Sequence, residues 1–218
     1  MGVLSKAKHL FSLFVFKKKW RILNKHNETT VKTVFPINLV KVGKFTYGSI
    51  EVHTWSADNE FLQIGNYVSI AEGVKFLLGG NHYYKSFSTF PFKVKYMGNQ
   101  NEAFSKGKII VGDDVWLGTD ALILSGVKIG QGSIIGAGSV ISKDVPPYSI
   151  VVGNPAQIIK YRFKHTTIDK LLQIDFSKID EEFIRNNIVD LYKDLDDKTL
   201  ENLLEKYNDR VLKRMKKI

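Results

Sequence analysis

"VGDDVWLGTDALILSGVKIGQGSIIGAGSVISKDVP", residues 111–146, is one six-residue pattern written six times. Position one is always aliphatic: Val111, Leu117, Ile123, Ile129, Ile135 and Ile141. Position four is Asp114, Asp120, Gly126, Gly132, Gly138 or Asp144, and position five is Val115, Ala121, Val127, Ser133, Ser139 or Val145. A chain of short strands that turns every six residues gives each column a task. Position one points inward, position four takes positive φ at the corner, and position five fills a confined interior. The result is a parallel β-helix with about three hexapeptides per triangular coil, its coils stacked into a one-dimensional core. An ordinary α/β protein would need helical patterns of about ten residues between strands. None occurs in this stretch.

Upstream, Ile64–Ser69 and Ile70–Lys75 are two earlier copies, and Phe76 begins a third that breaks at Gly79–Gly80. Phe76 and Val111 are 35 residues apart, which is not a multiple of six, so residues 79–107 leave the coil as a loop. The loop opens "GGNHYYKSFSTFPF", and a segment this aromatic has too much to bury to stay disordered. Loops of this length on a rigid scaffold are commonly functional.

Composition narrows the class. The 218 residues contain no cysteine, which removes disulfides, zinc–thiolate sites and acyl-cysteine chemistry and suits a reducing cytoplasm. The net charge of +10 sits at the ends: residues 1–25 carry seven Lys/Arg and no acid, and residues 205–218 carry six against Glu205 and Asp209. A near-neutral body with basic tails argues against a nucleic-acid binder. The run Leu10–Phe16 is too short to span a bilayer. Val3, Leu4, Ala7, Leu10, Phe11 and Phe14 share one helical face followed by Lys17–Lys19. That face either lies on an anionic membrane surface or packs on its own protein or an oligomer partner.

Of five histidines, His9, His26 and His165 fall outside the repeats and read as solvated or capping residues. His82 stands on the extruded loop between Asn81 and the aromatics Tyr83 and Tyr84. Asn81, Tyr83 and Tyr84 read as the acceptor side of a site. His53, just before the repeats, either joins them or packs at the rim. No histidine occurs in residues 83–164, so the coils cannot supply a histidine zinc site.

"IGNYVSIAEGVKF", "GGNH", "STFPF" and the run from "VGDDVW" to "GNPAQIIKYRF" together resemble the hexapeptide acyltransferases. The likeness covers about residues 37–165 and is strongest to the xenobiotic-acetyltransferase branch. That branch includes chloramphenicol and streptogramin acetyltransferases and many polysaccharide O-acetyltransferases. The resemblance implies a left-handed β-helix and a homotrimer with sites between subunits. It implies acetyl-CoA as acetyl donor, no metal, and His82 as the general base that takes the proton of an attacking hydroxyl. Such assistance typically contributes about 10²–10⁴ in rate. By motif match, Trp116 packs on the pantetheine arm, backbone groups at Thr119 and Ala137 bond its amides, and Ser142, Lys143 and Lys160 complete the CoA flank. Gln157 stands where relatives often carry arginine.

Pro146–Pro147 and Pro155 end the repeat, and Asp180 and Asp197 are expected caps of helices beyond it. The domain reading is a basic arm, partly helical, over 1–35, the β-helix over 36–163, and a helical extension over 164–218 that caps its open end. The tail segment "LLQIDFSKID" lacks the tryptophans common in antibiotic-modifying relatives. With the basic start, this favours a sugar hydroxyl of a surface polysaccharide as acceptor. Alternatives are an antibiotic O-acetyltransferase, an amino-sugar N-acetyltransferase and a non-catalytic trimeric scaffold. A cytoplasmic enzyme is expected, its basic termini able to touch the inner membrane face.

Overall fold

The computed structural model describes residues 3–215; the side chains of Val3 and Leu4, part of the expected apolar face, and the lysines at 216 and 217 lie outside the described residues. The chain forms two compact units, Met1–Arg162 and Phe163–Ile218. The first opens on helix α1 (Val3–Leu23) and strands β1 (Glu28–Val31), β2 (Val40–Val42), β3 (Tyr47–His53), β4 (Leu62–Ile64), β5 (Ser69–Ile70) and β6 (Lys75–Leu77). A short helix α2 (Phe92–Tyr96) interrupts the loop, so that segment is not structureless. Then come β7 (Ile109–Val111), β8 (Trp116–Leu117), β9 (Leu122–Leu124), β10 (Lys128–Ile129), β11 (Ile134–Ile135), β12 (Val140–Ile141), β13 (Ser149–Gly153) and β14 (Ala156–Tyr161).

Three parallel ladders form the faces of a prism. The first face is β2-β4-β7-β10, the second β3-β5-β8-β11-β13, and the third β3-β6-β9-β12. The chain visits them in rotation, β7-β8-β9 and then β10-β11-β12, which is a parallel β-helix. Seven-residue β3 bends across two faces and pairs with both β5 and β6. The register brings position one into columns, with Ile64, Val111 and Ile129 in line on the first face. All six position-one side chains of 111–146 are buried, and so are all six at position five. Each fully buried Ile, Leu or Val contributes about 1.5–3 kcal/mol, so this interior column is the main stabilising term of the unit.

Positive φ recurs at the corners. Between the first and second faces it falls on Phe45, Tyr67, Asp114, Gly132 and Tyr148, one per coil. Phe45 and Tyr67 stack there at 5.1 Å between ring centroids, which offsets part of the backbone cost of placing aromatics in the left-handed region. Phe45 belongs to "VGKFTY", residues 42–47, a copy that the hexapeptide count misses because seven-residue β3 carries the chain from Gly48 on the second face to Val52 on the third in four residues rather than six. Asp144 departs from the expectation: it is absent from the positive-φ residues, and its Oδ1 instead accepts the Lys128 N–H at 2.8 Å. Arg162 donates to Asp114 Oδ2 at 3.1 Å and to the Gly132 carbonyl at 2.7 Å, and its guanidinium lies over the Tyr148 ring. Burial pushes the Asp114 carboxyl up, an effect that Arg162 opposes.

Helix α1 docks through Trp20, which is buried and edge-on to Phe35, and through Phe16 on the same ring. Trp20 Nε1 donates to Thr29 Oγ1 at 3.0 Å, and Arg21 donates to the Thr29 carbonyl at 2.9 Å, fastening α1 to β1. β1 in turn pairs parallel with β3.

The second unit holds α3 (His165–Leu171), α4 (Glu181–Leu191) and α5 (Asp197–Met215). Asp180 caps α4 as expected, its Oδ1 accepting the Phe183 N–H at 2.9 Å. For α5 the cap is Asp196 rather than Asp197: Asp196 Oδ1 accepts the Thr199 N–H at 2.7 Å, the three-residue spacing that a cap requires. Asp190 bridges α4 and α5 by accepting from Lys206 at 2.7 Å while also meeting Lys193.

Candidate active site

The loop leaves the prism at the corner between the third and first faces, and two glycines make the exit. A Cβ on Gly79 would strike the Glu60 carboxylate. Gly80 has φ +82°, and a Cβ there would sit 2.8 Å from the Trp55 ring. Glu60 is buried and its Oε1 accepts the Trp55 N–H at 2.9 Å, so Trp55 is held against the exit.

Asn81 closes the loop. Its backbone exchanges hydrogen bonds with Phe104 at 3.1 and 3.0 Å, and its amide nitrogen donates to the Phe104 carbonyl and to Ser125 Oγ, each at 3.0 Å. Both amide hydrogens are thereby committed, and only Oδ1 is left to face an acceptor. Asn101 reinforces the root by donating to the Trp55 carbonyl at 2.6 Å.

His82 follows immediately. Its Nδ1 lies 2.7 Å from the Thr89 carbonyl oxygen. A carbonyl only accepts, so Nδ1 carries the hydrogen and the neutral ring presents its lone pair at Nε2. Ser86 and Ser88 shape the intervening turn: Ser86 Oγ donates to the Ser88 carbonyl at 2.7 Å, and the Phe90 N–H donates to Ser88 Oγ at 3.1 Å. The imidazole is exposed in the single chain, as are Tyr83, Tyr84 and Phe87. Phe90, Phe92 and Tyr96 form a run of rings with centroids 5.1 and 6.2 Å apart. His53 sits at the rim, its Nε2 paired with Glu51 Oε1 at 2.9 Å and its carbonyl accepting the Leu78 N–H at the loop exit.

The residues expected to hold CoA do not line one flank. Trp116 stands half-exposed on the second face, in the cross-strand row Trp116–Ile134–Ile150–Lys160. At ~4.8 Å per strand the row spans about 14 Å. Thr119 and Ala137 lie at the corner between the second and third faces. The Thr119 carbonyl is taken by the Gly138 N–H at 2.8 Å, while the Thr119 and Ala137 N–H groups have no partner among the described residues. Ser142 and Lys143 lie at the third corner, above the loop exit, where they line a cavity of about 130 Å³ with Gln157 and Ile158. Among the described residues no group of three or more His, Asp or Glu is placed to hold a metal ion.

Residues 108–143 match the family of bacterial transferase hexapeptide repeats, as six repeats. A chloramphenicol acetyltransferase of Klebsiella aerogenes is 36% identical over 181 residues, covering 71% of this chain and 86% of that protein. A probable macrolide acetyltransferase of Lysinibacillus sphaericus is 38% identical over 171 residues, covering 75% and 93%. Among solved structures, a hexapeptide-repeat-containing acetyltransferase from Vibrio cholerae O1 biovar eltor, complexed with acetyl coenzyme A, shares the fold. Its TM-score is 0.50 and its identity 24%, over 67% of this chain and 78% of that one.

Proposed function

Because the chain belongs to the hexapeptide-repeat acetyltransferases, enzymes that take their acetyl group from acetyl-CoA, we propose that it is an O-acetyltransferase with His82 as general base. The observation that carries this reading is the Thr89 carbonyl on His82 Nδ1. It fixes the tautomer with Nε2 free to accept a proton, and Asn81 and Gly80 hold the base on a rigid root. Nε2 takes the proton of the acceptor hydroxyl as that oxygen attacks the acetyl carbonyl. The leaving thiolate then receives that proton from the His82 imidazolium and departs as the free thiol, which returns the ring to its neutral form. Acetyl-CoA supplies the activated thioester when bound. The chain's own contribution is to hold it: the Trp116 face for the pantetheine, free N–H groups at Thr119 and Ala137 for its amides, and Lys143 and Lys160 as point cations for phosphate.

The left-handed coil and the homotrimer belong to this reading. The separation of the CoA residues over a face and two corners supports an assembled groove, since two copies side by side can pool what one chain keeps apart.

For the acceptor we favour a sugar hydroxyl of a surface polysaccharide or its precursor. A second reading, an antibiotic hydroxyl, draws on the names of the chloramphenicol and macrolide relatives. Mass spectrometry of saccharides, chloramphenicol and macrolides incubated with acetyl-CoA decides between them. Acetylation confined to the antibiotics reverses the order; transfer to none of the panel removes both acceptor readings.

A further inference from the structure

Helix α1 has two apolar faces. Phe16 and Trp20 face inward and pack on Phe35. On nearly the opposite side, Ala7, Leu10, Phe11, Phe14, Val15 and Ile22 follow an i, i+3, i+4, i+7, i+8 spacing and stand in solvent. Phe11 is 69% exposed, Leu10 65% and Phe14 54%. Water-facing phenylalanines in sequence along a firmly docked helix leave an uncovered stripe, which in soluble proteins marks an interaction surface.

The charge around the stripe selects the partner. Lys8 and Lys19 flank it on one side, Lys6, Lys17 and Arg21 on the other, and Lys18 lies over the Phe14 ring at 4.5 Å. No acidic residue occurs before Glu28, and none of the six lysines between positions 6 and 25 forms an ion pair among the described residues. A cavity of about 170 Å³ opens along this flank, lined by Lys17, Arg21, Thr30, Val31 and Lys32. Two copies of so basic a helix repel each other, whereas an anionic lipid surface attracts both elements: acyl chains take the stripe and headgroup phosphates take the lysine flanks. None of the helices among the described residues is long and apolar enough to cross a membrane, so the contact is lateral.

We propose that the outward face of α1 is a docking surface for an anionic phospholipid bilayer, with Leu10, Phe11 and Phe14 entering the interface and Lys17, Lys18 and Lys19 receiving headgroup phosphate. The geometry is independent of which acceptor the enzyme acetylates.

The test is co-sedimentation of the full chain with phosphatidylcholine vesicles and with vesicles containing one-third phosphatidylglycerol, at 50 and 500 mM salt. Binding to the anionic vesicles, weakened by salt and absent on the zwitterionic ones, is expected. Phe11→Ser with Phe14→Ser is expected to abolish it. Lys17→Gln and Lys18→Gln are each expected to lower the partition coefficient about fivefold, near the ~1 kcal/mol of a basic residue at such a surface. Light scattering of the phenylalanine variant reads the alternative, and a thermal shift with acetyl-CoA checks that the variant is folded. Failure of the wild-type protein to pellet with anionic vesicles overturns the proposal. So does an unchanged partition coefficient in the folded phenylalanine variant, or a fall in that variant's oligomeric state, which would assign the stripe to a second copy.

Discussion

His82 and Thr89 are joined across seven residues of the loop by a 2.7 Å contact from the ring's Nδ1 to a backbone carbonyl. The His82 ring is oriented by main chain. No carboxylate takes that place in this contact, so the ring is steered without a second titrating partner on Nδ1.

His82→Ala is therefore expected to fold with an unchanged Tm and to lose about 10²–10⁴ in kcat. Thr89→Ala keeps the carbonyl, so its kcat should stay within about twofold. Steady-state kinetics on both variants checks this, and an unaffected kcat in His82→Ala ends the assignment.

Gly80→Ala forces a Cβ into the left-handed region and onto the Trp55 ring, 2.8 Å away. The conformational part alone costs about 1–2 kcal/mol. We expect a lower Tm together with a lower kcat, because the same residue roots His82. Adding Trp55→Ala should recover part of the Tm loss, a coupling that a double-mutant cycle reads.

Gly132 and Gly138 form a matched pair. Their φ values are +68° and +66°, yet a Cβ on Gly132 would collide with the Tyr148 ring while one on Gly138 meets nothing within 4 Å. Gly138→Ala should cost only the left-handed penalty of about 1–2 kcal/mol, and Gly138→Asn less. Gly132→Ala should cost clearly more. Equal denaturation midpoints for the two alanine variants would count against ring packing as the difference.

Lys143→Glu and Lys160→Glu are each expected to raise the KM for acetyl-CoA about tenfold, roughly 1.4 kcal/mol, with kcat little changed. Titration calorimetry with CoA gives the same comparison without turnover. A dissociation constant equal to wild type removes that lysine from the phosphate site.

The Asp190 carboxyl is held down to about 2 by hydrogen bonds from Lys193 and Lys206. Its folded pKa lies below the unfolded one, so its contribution is present above the ordinary carboxylate range and is lost as pH falls from about 4 toward 2. Acid titration followed by circular dichroism at 222 nm should show helix loss over that window. Asp190→Asn should be less stable at neutral pH and show a shallower acid limb.

The coil was legible in the sequence because its cause is local: an aliphatic residue every six positions and a small or acidic residue at each corner. The copy at 42–47 was hidden because Val42 and Ile64 stand 22 residues apart, out of phase with the sixes, and Asp144 misled because Asp serves a side-chain hydrogen bond as readily as a positive-φ corner. Asp196 displaced Asp197 as a cap because adjacent aspartates differ only in which one stands three residues before a free N–H.

The candidate site divides along the same line. The break in the repeat located His82 and its glycine exit from residue identities alone. Only the tertiary structure supplied Thr89 as the orienting group, since every residue has a carbonyl and its aim leaves no mark in the side-chain code. The commitment of Asn81 to Ser125, 44 residues away, and the scatter over three parts of the prism of the residues expected to hold CoA likewise depend on which coil stacks on which. Periodicity fixes what faces inward. Register between coils decides what meets on the outside, and register is a property of the folded stack.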